Sequence, residues 1–139
     1  MSKGQLVHEQ VTGSVIRAFY DVYNALGFGF LESIYAAAME RELLERGHRV
    51  AREMNVRVMY KQQEIGTQRL DMVIDDKVIV EIKATLDLHK AANRQIYSYL
   101  RATNLEVGLL LHFGPEATFY RHTCRSGDSK DPYDLQRSI

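Results

Sequence analysis

Cysteine, proline and net charge are scarce in this chain, and tryptophan is missing. Its 139 residues include one cysteine and two prolines. The single Cys124 excludes an intramolecular disulfide and a four-cysteine metal cluster, and it suits a reducing compartment. Eighteen basic residues offset eighteen acidic ones, so the formal net charge is +0. Global charge therefore does not announce a polyanionic partner, and any basic surface must be local. No apolar run reaches the ~18 residues of a membrane span, and no basic segment leads into an apolar one at the N-terminus. The expectation is a cytoplasmic protein that stays out of the membrane. Internal repeats and low-complexity segments are absent as well. With 45% hydrophobic residues, the length suits one domain around one core. That domain is expected over 1–124, with a polar tail over 125–139.

What is present is a clear change of period. From about Gln5 to Leu26 apolar residues recur at helical spacing: Val7, Val11, Val15, Ala18, Val22, Leu26. A second stripe of Ile16, Phe19, Tyr20 and Tyr23 widens the apolar face. Such a helix is either buried on two sides or meets a second copy of the chain as a homodimer. Gly27 stands where a cap belongs, and a second helix follows to about Arg46. From Arg49 the period becomes two. Strands are predicted to end near Tyr60, then over about 65–74 and 77–84, with Lys61 to Glu64 and Asp75-Asp76 as turns. A third helix is expected over about 89–103, a strand buried on both faces over 105–113, and a last strand over 117–123. Gly114-Pro115 separates the last two strands. A meander followed by a crossover helix implies an α/β fold with a mixed sheet.

The stretch Leu70 to Ala84, L-D-M-V-I-D-D-K-V-I-V-E-I-K-A, puts charge where a buried strand should have none. Glu81 and Lys83 lie two apart and therefore share a strand face. Burying such groups costs several kcal/mol each, roughly, unless they are paired or hold a metal. Asp71 and Glu81 converging beside Lys83 would make a site for a hard divalent cation, with Lys83 orienting or deprotonating a water. Register decides whether they converge. A two-residue loop at Asp75-Asp76 would put Asp71 opposite Val80, on the other side of the sheet from Glu81. The site requires an odd-length loop or a bulge, for example Ile74 opposite Val78 and Asp71 opposite Glu81. Solvated residues on an edge strand would show the same D-then-E-x-K spacing.

Two helical motifs accompany the meander. Gly29 to Tyr35 reads G-x-x-E-x-x-Y, and Glu32 and Tyr35 share a helix face. Structurally, Glu32 is also a first-turn carboxylate suited to the helix dipole, and Tyr35 a core aromatic. Gln95 to Tyr99 reads Q-x-x-x-Y, again on one face, while Lys90, Arg94 and Arg101 form a basic stripe on the far side. That stripe is either a solvated face or a phosphate contact.

Together these motifs resemble the PD-(D/E)XK nuclease superfamily, and closely the small bacterial group called GxxExxY proteins. The resemblance covers about Val7 to Thr123. It implies a restriction-endonuclease-like αβββαβ core, with a mixed sheet flanked by helices and an extra N-terminal helix. By the same resemblance Glu32, Asp71 and Glu81 would hold Mg²⁺ or Mn²⁺, and Lys83, Gln95 and Glu32 would be catalytic. Tyr35, Tyr99, Lys90 and Arg94 would contact a nucleic acid, expected to be DNA. The iron-sulfur cluster of some relatives is excluded by the single cysteine. The group's L-L-x-N-F-G segment appears as Leu110-Leu111-His112-Phe113-Gly114, and His112, in place of Asn, reads as a structural residue at a strand end. The alternatives to a nuclease are a non-catalytic nucleic-acid-binding module and a dimerising scaffold that keep the fold.

Overall fold

In the computed structural model, which describes residues 7–124, eight elements follow in the expected order. They are α1 (Glu9–Leu26), α2 (Glu32–Glu45), β1 (Val50–Tyr60), β2 (Gln63–Ile74), β3 (Val78–Lys83), α3 (Lys90–Ala102), β4 (Val107–Phe113) and β5 (Ala117–Thr123). The expected tail over 125–139 lies outside the described residues. The strands form one sheet in the order β1-β2-β3-β4-β5. Only β3 and β4 are parallel, because α3 crosses between them; the other neighbours are antiparallel.

The helices cover opposite faces. Alternation along β3 sends Val78, Val80 and Ile82 to α1 and α2, and Ile79 to α3. All seven residues of β4 are buried, since this interior strand is covered on both faces. Close contact with α3 depends on Gly108: a Cβ there would lie 2.9 Å from the Ile96 side chain. Phe113, at the end of β4, stacks on Tyr35 of α2 at 4.1 Å between centroids and meets Phe19 of α1 edge-on at 4.8 Å. Phe19 is fully buried, and Tyr23 donates to the Gly114 carbonyl. Much of the wide apolar face of α1 is therefore covered within the chain, while Tyr20 stays 38% exposed.

The β1–β2 turn differs from expectation. It is two residues, Lys61 and Gln62, both left-handed at φ 49° and 66°. That geometry matches the twist of the flanking strands and normally selects Asn-Gly, so the sequence carries no sign of it. The ladder compensates with a register shift at Val58/Met59.

The β2–β3 turn is held from outside. Asp75 accepts from the Arg49 amide at 2.8 Å and from His48 Nδ1 at 2.7 Å, and His48 Nε2 lies 2.7 Å from Ser14 Oγ. An imidazole with its proton on Nδ1 satisfies both neighbours. The order Ser-His-Asp is that of a hydrolase relay. Ser14, however, is interior to α1, where the following amides are spent on helical bonds and offer no oxyanion site. The chain of bonds is a latch between α1 and the turn.

Burial alone would raise the Asp75 carboxyl, but the His48 and Arg49 hydrogen bonds and their charges hold it below the usual carboxylate range. Its folded value lies below the unfolded one, so its stabilisation is present above about pH 4 and lost as pH falls through the folded value. Asp75→Asn should cost about 1 kcal/mol at pH 7 in urea denaturation and flatten the acid limb of the stability profile below pH 4.

Candidate active site

The site begins with the length of the β2–β3 loop. Ile74 pairs with Val78, which leaves Asp75, Asp76 and Lys77 in the turn. Lys77 N–H closes it on the Ile74 carbonyl at 2.9 Å, and Asp75 and Asp76 are left-handed at φ 54° and 56°. Counting back through Met72↔Val80 brings Asp71 opposite Glu81, as an odd-length loop requires.

At that level the regular pairing ends and side chains bridge the strands. The Asp71 amide donates to Glu81 Oε1 at 3.0 Å, and the Ile82 amide donates to Asp71 Oδ2 at 2.9 Å. Each carboxylate thus ties down the other's strand. On the opposite side of β2 the ladder with β1 omits Glu53 and Asp71, and Glu53 is left-handed at φ 56°. Facing reverses here: Met72 and Ile74 pack with the α1–α2 layer, whereas Leu70 packs with α3. The reversal turns β2 away from β3 and opens a cleft at Asp71.

Glu81 is 4% exposed. Burial, with the Asp71 charge against it, pushes its carboxyl up to about 8, and Lys83 only partly offsets this. Tyr99, hydrogen-bonded to Gln95, is pushed up to about 12 by burial and by the charges of Glu81 and Asp71. The α3 motif therefore lies within electrostatic reach of the acid pair.

Glu32 is the first residue of α2, and its Oε2 accepts from the Ala84 amide at 3.5 Å. It walls two hollows. One, of about 430 Å³, is bounded by Lys83, Thr85, His89 and Gln95; the other, of about 260 Å³, by Asp71, Arg52 and Arg69. The structure brings Asp71 and Glu81 into contact and sets Glu32, Lys83 and Gln95 around them. Among the described residues, no three Asp, Glu, His or Cys side chains are gathered closely enough to hold a metal ion. The donors are nevertheless of the right kind, because the buried Glu81 carboxylate and the half-buried Asp71 carboxylate beside it are hard oxygen ligands short of positive charge.

The remaining expected contacts lie elsewhere. Tyr35 is fully buried; its hydroxyl donates to the Gly27 carbonyl and accepts from the Phe30 amide, leaving no surface for a ligand. It pins the loop that presents Glu32, which explains the spacing of Gly29, Glu32 and Tyr35. Tyr99 is also buried, with its ring in the α3 core. Lys90 and Arg94 are exposed and border neither hollow. His112 is structural: its Nε2 donates to the Thr85 carbonyl at 2.9 Å, fixing the segment that follows Lys83. Sequence reasoning missed Arg52 and Arg69, which carry no motif and reach the cleft only through the β1–β2 pairing. Arg52 pairs with Glu40 at 3.0 Å and Arg69 with Glu53 at 2.7 Å.

The acid pair has a measurable signature. The folded value of Glu81 lies above the unfolded one, so between about pH 4.5 and 8 the folded protein holds a proton that the unfolded chain releases. Stability attributable to this group falls as pH rises through that window. Without divalent cations, Glu81→Gln should gain about 1–3 kcal/mol near pH 8.5 in urea denaturation, with the gain shrinking towards pH 5.

A family model described as PD-(D/E)XK nuclease superfamily matches residues 9–123, which spans every element of the fold. No curated protein and no solved structure matches the chain. No helix among the described residues is long and apolar enough to cross a membrane. The matched span contains the whole five-stranded sheet and its acid pair, and the chain belongs to the PD-(D/E)XK nuclease superfamily.

Proposed function

We propose that the protein is a divalent-cation-dependent nuclease that hydrolyses phosphodiester bonds in DNA. The observation that carries this reading is the contact of Asp71 and Glu81 across the opened strands, with Lys83 two residues further along β3. Asp71, Glu81 and Glu32 would hold Mg²⁺ or Mn²⁺, which when bound lowers the pKa of water and offsets phosphate charge. Lys83 lines the hollow from the strand end, and it would orient the attacking water and balance charge gathering on the phosphate oxygens. Gln95, held by its bond to Tyr99, positions the water or the substrate. The proton on Glu81 leaves when the cation binds, so affinity for the cation rises with pH up to about 8. Gly29-x-x-Glu32-x-x-Tyr35 supports placing the chain in the GxxExxY group.

A second reading, a non-catalytic nucleic-acid-binding module, draws on Glu32 being held by the Ala84 amide rather than by the acid pair. Two measurements separate the readings. Mg²⁺ or Mn²⁺ should raise the melting temperature of the wild type but not of Asp71→Ala. Metal-dependent cleavage of single-stranded or plasmid DNA should fall ~100-fold or more in Lys83→Ala. Cleavage absent from the wild type with both metals would favour the module.

A further inference from the structure

Building on the nuclease reading, we propose that the α1–α2 loop is a stacking platform for an unpaired nucleobase, so that the substrate is single-stranded or locally opened nucleic acid. Phe28 and Phe30 are each 44% exposed, and Leu31 between Phe30 and Glu32 is 71% exposed. Large apolar side chains in such positions are normally covered by something. They border a hollow of about 450 Å³ that also includes Glu32 and Ala84.

The loop is rigid. Gly27 N–H is bound to the Tyr23 carbonyl at 2.7 Å, and the Tyr35 hydroxyl holds both the Gly27 carbonyl and the Phe30 amide. The Phe30 ring rests edge-on against Tyr35 at 6.1 Å. Gly29 has φ 121° and nothing within 4 Å of where a Cβ would stand, so the space beside the rings is open. A Phe30 ring held against Tyr35 loses little entropy when a flat partner binds.

The position of the patch selects that partner. Glu32 walls this hollow and both hollows of the acid cleft, and Ala84 directly follows Lys83. A base on the platform therefore belongs to a nucleotide next to the one at the acid pair. Among the described residues no cation lines the platform, whereas Lys83 lines the neighbouring hollow, where it can meet a phosphate. Within a duplex both faces of each base are already stacked. Only an unpaired or opened base offers a face to a ring.

The test measures oligonucleotide binding in a Lys83→Ala background, which prevents turnover. A single strand should bind at least ~10-fold more tightly than a blunt duplex of the same sequence. Phe28→Ala and Phe30→Ala should each weaken single-strand binding by about 5- to 100-fold, and Phe28→Trp should restore it. Both rings are half exposed, so melting temperatures should stay close to wild type. An abasic strand should bind weakly and lose nothing further in Phe28→Ala. Equal affinity for strand and duplex, indifference to the Phe substitutions, or a dimer that Phe28→Ala dissociates would each overturn the platform. Metal-dependent cleavage that persists unchanged in Phe28→Ala sinks the platform alone. A wild type that neither binds nor cuts any oligonucleotide sinks the nuclease reading with it.

Discussion

The mutual grip of Asp71 and Glu81 governs the arrangement around it. Two carboxylates side by side in a largely buried place repel, and one answer is to keep a proton on Glu81. The backbone supplies another: each acid takes an amide from the opposite strand where the regular ladder stops. The acids are thus structural as they stand, closing a gap that a continuous hairpin would have closed with its own carbonyls. A cation bound there would displace the proton on Glu81 and use the same oxygens. Folding and function draw on one set of lone pairs.

Three distant features keep the two acids level. The three-residue loop sets the register, and the latch through Asp75, His48 and Ser14 holds that loop against α1. The left-handed backbone at Glu53 turns β2 so that a cleft opens on the side of Glu32. A non-glycine residue in that conformation costs on the order of 1 kcal/mol, tolerated where surrounding pairing over-determines it. Tyr35 and Phe113 complete the frame by stacking the start of α2 on the end of β4.

Much of this was legible because it is periodic. Helical stripes and the switch to alternation locate every element, and face parity in the sequence requires the odd loop. What stayed hidden depends on single backbone conformations or on pairing at long range. Lys61 and Gln62 adopt a turn that favours glycine and asparagine, so the strand after them begins earlier than its composition suggests. Tyr35 shares a helix face with Glu32, but one turn of helix spans the boundary between surface and core. The tyrosine goes in while the glutamate stays out. Arg52 and Arg69 lie far apart in sequence and meet at the cleft only because β1 and β2 pair.

The latch also bears on how the chain comes to possess its cleft. Ser14, His48 and Asp75 are separated by 34 and 27 residues, so the three can meet only after more than half the chain is available. Until then the contacts of Arg49 alone hold the three-residue loop from outside the hairpin, and a neighbouring register would leave the acids back to back across the sheet. A chain deprived of α1 would keep every motif residue in its sequence and still be free to assemble an ordinary, acid-less hairpin face. The helix with no chemistry of its own is thus the proofreader of the strands that have it.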